Sequence, residues 1–295
     1  MEGCTSNNNT NDKFDEIQSK FNKILELNHL KLEKIKNSSF ITNCLYIDGT
    51  CACLKSTLLK NFIHTKPTIK APQRNTCSLS NLSAKYKFTH LTNKNNIVVD
   101  RSPQNFLDWN CIWYIISVLG NTINHSVETI SSLIDNYKDL FYNKFLRDKD
   151  EQNYCTLYII DTNVDNVRGR LKNRNENSDS IRHKWENYIE IQNTFYKKKA
   201  EETNSICINI SDFDNLNEYK NVMILLIAHI KKLLKENKNI NTINFKPISK
   251  LYGVKYLDTY TPLLAQISFE EFKNHVNKRE LVNPLDFIKN KRLKT

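Results

Sequence analysis

The sequence predicts an α/β protein in which helices sandwich a parallel β-sheet. Short runs of apolar residues, of the length of a strand buried on both faces, recur along the chain, and stretches of helical periodicity separate them. This alternation runs from about residue 43 to residue 236. Strand and helix in alternation are typical of parallel sheets, in which ligands bind beyond the carboxyl ends of the strands.

Composition supports a folded domain with an anionic partner. The chain has 295 residues, of which 39% are hydrophobic and 25% charged, and these values exclude a disordered chain, a collagen and a coiled-coil rod. The formal net charge of +11 favours nucleotides, nucleic acid or acidic proteins as partners.

Cysteine usage and hydropathy indicate the compartment. The eight cysteines have no paired C-x-x-C spacing, so we expect reduced thiols rather than a zinc site. No stretch has the apolar length of a membrane helix, and the N-terminus lacks the apolar core of a signal peptide. We therefore expect a cytoplasmic protein. Separately, the high frequency of Asn, Lys and Ile suggests an AT-rich genome, such as that of a large DNA virus.

The chain divides into four parts. Residues 1–12 are polar and predict a disordered tail, and residues 13–42 have the periodicity of an amphipathic helix. Residues 43–236 form the predicted α/β domain, and residues 237–295 lose its rhythm and predict an irregular C-terminal extension.

Within the domain, four apolar runs predict buried strands and five periodic stretches predict helices. The strands are 44–47, 97–100, 155–161 and 205–210. The helices are 103–119, 126–147, 165–172, 180–202 and 215–235. Residues suited to capping stand near four helix starts: Ser102, Ser126, Asp179 and Asp214.

A degenerate phosphate-binding loop follows the first predicted strand. Residues 49–56 match the pattern G-x-x-x-x-G-K-[ST] except at Leu54, where a second glycine is expected. The pattern needs backbone N–H groups around phosphate, a lysine to neutralise its charge and a hydroxyl for Mg²⁺, and Gly49, Lys55 and Ser56 satisfy these needs. A leucine in a glycine conformation costs about 1–3 kcal/mol, so we expect reduced nucleotide affinity. A chance Lys-Ser-Thr after a strand is the alternative.

Two further clusters of charge lie near strand ends. Asp100 and Arg101 follow the second predicted strand, which in a parallel sheet places them beside the phosphate loop. Arg168, Arg170 and Arg174 follow the third strand and predict a cationic flap able to contact phosphate oxygens and exclude water. The alternatives are a helix cap or salt bridge for the first cluster and a solvated basic turn for the second.

Taken in order, these segments resemble the deoxynucleoside kinase and thymidylate kinase superfamily. The likeness covers about residues 43–234 and rests on the loop, the Asp-Arg-Ser segment after a strand and the arginine-rich segment after Tyr-Ile-Ile-Asp. It implies a P-loop kinase-type fold, ATP and Mg²⁺ as cofactors, a nucleoside or nucleoside monophosphate as acceptor, and a homodimer. We expect no membrane partner, since no apolar segment is long enough, and no aromatic-interleaved basic motif supports nucleic acid as a partner.

The resemblance also assigns roles to individual residues. Lys55, Asp100, Arg101 and Arg170 would act in catalysis, with Ser56 and Asp100 near the metal. Nucleotide binding would involve Gly49, Thr50, Lys55, Ser56, Thr57, Arg168 and Arg174. Acceptor binding would involve Arg74, Arg101, Gln104 and Trp109.

One departure bears on activity. No Asp or Glu lies between Gly49 and Val99, so the glutamate that both branches carry after their second strand is missing, with Ala71 at the corresponding place. Loss of a general base costs about 10²–10⁴-fold in rate, although an acceptor phosphate needs a base less than a hydroxyl does.

Three hypotheses follow from the sequence. The first is an ATP- and Mg²⁺-dependent kinase of a deoxynucleoside or its monophosphate, with thymidine or thymidylate favoured. The second is a kinase-fold protein that has lost turnover and serves as a binding or structural component. The third is an unrelated α/β protein with a basic surface. All site assignments require that Lys55, Arg101 and Arg170 converge on one pocket.

Overall fold

A parallel sheet organises the protein. The computed structural model describes residues 8–40, 43–63, 98–102, 105–120, 125–138, 154–174 and 179–239. Within these ranges the strands are β1 (Leu45–Gly49), β2 (Val98–Asp100), β3 (Cys155–Ile160) and β4 (Cys207–Asn209). They lie in the order β2–β1–β3–β4, and every pair is parallel. The predicted α/β class with a parallel sheet is confirmed.

Helices cover both faces of the sheet. The described helices are α1 (Asn8–Leu27), α2 (His29–Asn37), α3 (Lys55–Ile63), α4 (Asn105–Leu119), α5 (Val127–Tyr137), α6 (Val164–Arg174), α7 (Asp179–Arg182), α8 (Tyr188–Glu202) and α9 (Leu216–Glu236). A 3₁₀ turn in the described part of the chain spans Ile210–Asp212.

Strand β3 shows why its sequence is apolar throughout. Its side chains alternate between two cores: Tyr158 and Ile160 pack with α4, α5, α6 and α8, whereas Leu157 and Ile159 pack with α1, α2, α3 and α9. All six of its residues are buried. A strand covered on both faces has no polar side, and this explains the unbroken apolar run in the sequence.

The N-terminal prediction needs two corrections. Helix α1 begins at Asn8, so residues 8–12, assigned to a disordered tail, are helical; residues 1–7 lie outside the described residues. Asn, Thr and Asp are only moderately poor helix formers and extend a helix that the following apolar residues stabilise. The single helix predicted over 13–42 is two helices that break at Asn28, whose Nδ2 donates to the Ile24 carbonyl.

The later helices also differ in detail from the predictions. The helix predicted over 180–202 is divided into α7 and α8 by a turn around Trp185. Ser126 caps α5 as predicted, because its Oγ accepts from the Thr129 N–H at 3.2 Å. Asn215 rather than Asp214 caps α9, since its Oδ1 accepts from the N–H groups of Asn217 and Glu218.

Two further predictions can be compared with the described residues. Six cysteines within them are free thiols, five of them buried, as expected; Cys4 and Cys77 lie outside. None of the described helices has the length and apolar character needed to span a membrane. The C-terminal extension is described only to Asn239.

Candidate functional site

Gly49 ends strand β1 in a conformation and a space that only glycine fits. Its φ is +132°, and a Cβ at this position would lie 1.9 Å from the backbone oxygen of Ile159 on strand β3. The Thr50 N–H donates to the same oxygen at 3.0 Å. The chain therefore leaves the sheet where the end of β1 lies very close to the backbone of its parallel neighbour β3.

The loop after Gly49 has no further glycine, yet two of its residues adopt backbone conformations typical of glycine. Ala52 and Leu54 both have a φ of +54°, in the left-handed region. Leu54 thus has the backbone conformation of the residue that the motif expects as glycine, and its side chain packs at the edge of the core around α3 and α9. Each such residue costs about 1–2 kcal/mol relative to a right-handed one.

The loop leaves three successive backbone donors for a ligand. Among the described residues, no acceptor contacts the N–H groups of Ala52, Cys53 or Leu54, whereas those of Thr50 and Cys51 are bonded within the protein. Residues 52–54 precede helix α3, whose N-terminus carries the positive end of the helix dipole. Such a curve of N–H groups at a helix start favours an anion.

Lys55 directly follows these three residues, and its side chain folds back onto the loop. Its ammonium donates to the Gly49 carbonyl at 2.8 Å and to the Thr50 carbonyl. Burial lowers the pKa of Lys55, and the neighbouring Arg101 lowers it further, while Cys53, Asp48 and Asp100 oppose this shift. The ammonium is thus desolvated, and a bound anion would satisfy it better than the loop carbonyls do.

Asp100 and Ser56 face each other across the mouth of the loop. The Ser56 hydroxyl donates to Asp100 Oδ2 at 3.4 Å. A hydroxyl and a carboxylate so close together present oxygen ligands of the kind that Mg²⁺ prefers. Among the described residues there is no group of three or more His, Cys, Asp or Glu side chains suited to a metal, so a cation here would need further oxygens from a ligand or water.

Asp48, which sequence reasoning missed, joins the two predicted segments. Its carboxylate accepts from the Ser102 N–H and hydroxyl, both at 3.0 Å, and from Asn105 Nδ2 at 3.0 Å. The Ser102 N–H and hydroxyl therefore orient Asp48. These bonds hold the end of strand β1 against the Asp100–Arg101 corner.

Arg101 has a constrained backbone and an aromatic neighbour. Its φ is +70°, its N–H donates to the Ile47 carbonyl at 2.9 Å, and its guanidinium donates to Asn105 Oδ1 at 3.1 Å. The guanidinium carbon lies 5.7 Å from the centre of the Trp109 ring. This cation–π contact holds the charge against an apolar wall.

The three arginines expected in a cationic flap lie on helix α6, and only two of them face the cavity. Arg170 donates to the Ala52 carbonyl at 2.8 Å and pairs with Asp161, and Arg174 pairs with Asp179. Arg168 points elsewhere, toward Glu186 and Asp165. Helical geometry is the reason, because residues two apart differ by about 200° around a helix axis.

These elements enclose one cavity of about 510 Å³. Five cations and two carboxylates line it: Lys55, Arg101, Arg170, Arg174, Arg182, Asp100 and Asp179. Ser56 and Thr57 also line it. An excess of positive charge at the start of a helix is the kind of environment that favours a polyanion.

The far wall of the cavity is aromatic. Trp109 and Tyr188 line it, and Trp113 and Trp185 pack behind them. Trp109 is only 7% exposed, and its indole nitrogen has no hydrogen-bond partner among the described residues. An aromatic wall beside a cationic loop suits a ligand that carries both a planar ring and phosphate groups.

Helix α8 supplies two amides that hold the loop, and no sequence motif marks either of them. Cys51 N–H donates to Gln192 Oε1 at 2.9 Å, and the Thr50 hydroxyl donates to Asn193 Oδ1 at 2.6 Å. Both amides are buried. Arg182, which lines the cavity with its guanidinium 4.9 Å from the Trp113 ring centre, was missed as well.

Several residues expected to contact ligand do not line the cavity. Gly49 and Thr50 shape the loop from beneath, and Arg168 lies outside the cavity lining. Arg74 and Gln104 lie outside the described residues. Lys55, Arg101 and Arg170, on whose convergence the site assignment depends, do meet at the cavity.

Comparison with known proteins does not extend this description. No protein-family model matches the chain, and no curated protein is significantly similar to it in sequence. The fold and the site together define an α/β protein with a parallel sheet and a cationic cavity at the carboxyl ends of its strands.

Proposed function

We propose that this protein is a divergent P-loop kinase that transfers the terminal phosphoryl group of ATP to a deoxynucleoside or deoxynucleoside monophosphate, with thymidine or thymidylate favoured. The observation that carries the proposal is the convergence of Lys55, Arg101 and Arg170 on one cavity, beside three open N–H groups at the start of α3. The order of these segments along the chain is also that of deoxynucleoside and thymidylate kinases.

The roles follow from position. The N–H groups of residues 52–54 and the Lys55 ammonium would hold the β- and γ-phosphates of the donor, with Arg170 and Arg174 beside the transferring group. Ser56 and Asp100 would hold Mg²⁺, which neutralises developing charge on the phosphates when bound. Charge neutralisation and positioning supply most of the catalysis in phosphoryl transfer.

The acceptor would lie against the aromatic wall. Trp109 and Tyr188 line the cavity and offer aromatic faces for a base. Arg101 and Arg182 stand at the same wall and would neutralise an acceptor phosphate.

A second candidate is a kinase-fold protein that binds nucleotide without turnover. The observation that favours it is the Lys55 ammonium, which is buried and bonded to two carbonyls of its own loop. Such a lysine must break these bonds before it can reach a phosphate.

One assay separates the two candidates. The purified protein is incubated with Mg-ATP and each deoxynucleoside or monophosphate, and ADP is measured. For the kinase we expect acceptor-dependent turnover that Lys55→Ala lowers at least about 100-fold. Lys60→Ala, which removes an exposed lysine from the same helix, serves as the matched control and should leave turnover unchanged. Nucleotide binding without turnover would favour the second candidate, and absence of binding would contradict both.

A further inference from the structure

We infer that helix α8 acts as a clamp that holds the phosphate loop in its anion-binding shape, in place of the glycine that the loop lacks. Gln192 and Asn193 are then positioning residues: they act on the ligand only through the loop. The identity of the anion rests on the proposed function, whereas the clamp concerns the loop itself.

The clamp is needed because the loop has no intrinsic preference for its shape. Ala52 and Leu54 both occupy the left-handed region, where glycine has no penalty and other residues cost about 1–2 kcal/mol each. Without outside contacts these two residues would relax, and the three open N–H groups would lose their present arrangement.

Asn193 makes hydrogen bonds at both ends of its amide. Its Oδ1 accepts from the Thr50 hydroxyl at 2.6 Å, and its Nδ2 donates to the Asp161 carbonyl at 2.7 Å. Asp161 follows strand β3, so this side chain ties the start of the loop to the sheet. An amide bonded at both ends cannot turn without losing a buried bond.

Gln192 is fixed in the same way. Its Oε1 accepts from the Cys51 N–H at 2.9 Å, and its Nε2 donates to the Tyr188 carbonyl at 2.8 Å within α8. Gln192 is fully buried. Because the Cys51 N–H is bonded to Gln192, it is not available to a ligand in the cavity. The Arg170 guanidinium donates to the carbonyl of the next residue, Ala52.

The test is a mutant cycle that combines loss of the two α8 amides with a change of residue 54. Gln192 and Asn193 are replaced together by alanine in the natural chain and in Leu54→Gly, and affinity for inorganic tripolyphosphate is measured by calorimetry. With Leu54 present, we expect the double replacement to weaken binding about tenfold or more, since two hydrogen bonds and a strained conformation are lost. With glycine at 54 we expect a loss below about threefold. Leu54→Gly alone should change affinity little, because the clamp already holds the loop.

Thr194→Ala is the matched control on the same helix and should change nothing, because Thr194 makes none of these bonds. Melting temperature is followed in every variant. If the two amides only stabilise the fold, their loss will lower the melting temperature, and the loss of affinity will be the same with leucine or glycine at position 54. An equal loss in both backgrounds, or no loss in either, would overturn the clamp.

A second readout needs no ligand and separates the clamp from the proposed function. The N–H groups of Thr57 and Leu58 both donate to the Leu54 carbonyl at 3.0 Å. If the loop relaxes, these first-turn bonds of α3 open. We expect the amide hydrogen-exchange rates of Thr57 and Leu58 to rise in the double alanine variant. Adding Leu54→Gly should return these rates to those of the natural protein. Unchanged exchange would contradict the clamp even if the protein binds no phosphate.

Discussion

Gly49 and Leu54 illustrate two different reasons for a positive φ. At Gly49 a side chain has no space, because a Cβ would collide with the Ile159 oxygen of the neighbouring strand. At Leu54 the side chain does have space beside the core, and only the backbone is strained. A phosphate loop can therefore lose its second glycine at a modest free-energy cost but not its first.

This difference predicts that Gly49→Ala is severely destabilising. We expect it to lower the free energy of unfolding by about 3 kcal/mol or more, measured by urea denaturation. Gly169→Ala is the matched control: Gly169 lies on α6 with nothing within 4 Å of a built Cβ, so alanine should raise the free energy of unfolding by about 0.5–1 kcal/mol. Similar effects of the two substitutions would contradict the close approach of Gly49 to the Ile159 backbone.

Helix α8 connects the loop to the rest of the molecule. One of its faces carries the loop amides Gln192 and Asn193, and further along it Lys199 pairs with Asp108 of α4. Asp108 and Lys199 are 0% and 1% exposed, so neither charge has water to stabilise it. The pair couples the helix that clamps the loop to the helix that carries Trp109.

Breaking this pair is expected to be costly. Lys199→Met leaves the Asp108 carboxylate buried without its cation and should lower the free energy of unfolding by about 3–5 kcal/mol. Lys197→Met, at an exposed position of the same helix, should cost less than about 0.5 kcal/mol. Adding Asp108→Leu to Lys199→Met should recover much of the loss. If chemical denaturation gives equal values for both lysine variants, Lys199 is not held as a buried charge.

The buried ionisable groups make the whole molecule sensitive to alkaline pH. Burial raises the pKa of Cys53, Cys155 and Cys207 from 9.0 to about 12, and raises that of Cys51 and Cys111 too. Four tyrosines shift in the same direction: Tyr114, Tyr188, Tyr196 and Tyr219. Burial lowers the pKa of three lysines, Lys34, Lys55 and Lys231, which has the opposite effect on stability.

The sign follows from proton linkage. An acid whose pKa is raised on folding contributes stability that is complete below its unfolded pKa and is lost as pH rises through the folded value. Nine groups act in this sense and three lysines oppose them, so we expect the free energy of unfolding to fall between pH 9 and pH 12. Each thiol adds about 1.4 kcal/mol per pH unit to the slope.

Cys155→Ala isolates one of these groups. Its thiol is buried beside Lys34, and the variant should have a shallower alkaline slope by about one proton, measured by urea denaturation at several pH values. The variant should keep the same pH dependence as the natural protein below pH 8. An unchanged slope at high pH would show that this thiol already ionises in the folded protein.

The α/β class and the place of the loop along the chain could be predicted from the order of residues alone. Strands buried on both faces carry continuous apolar runs, and the loop is a contiguous segment, so both are visible in linear order. Which arginines share the cavity, in contrast, depends on how the helices pack. Arg168 and Arg170 are nearly adjacent in sequence, yet they point to different sides of α6.

The loop amides show the same limit over a longer distance. Asn193 stands 143 residues beyond Thr50, and nothing in its local sequence marks it as a partner of the loop. A hydrogen bond between two such distant side chains depends on how α8 packs against the sheet. Local residue patterns reflect backbone preference and burial, whereas pairing across the fold is set by packing, and this is why the clamp emerges only from the structure.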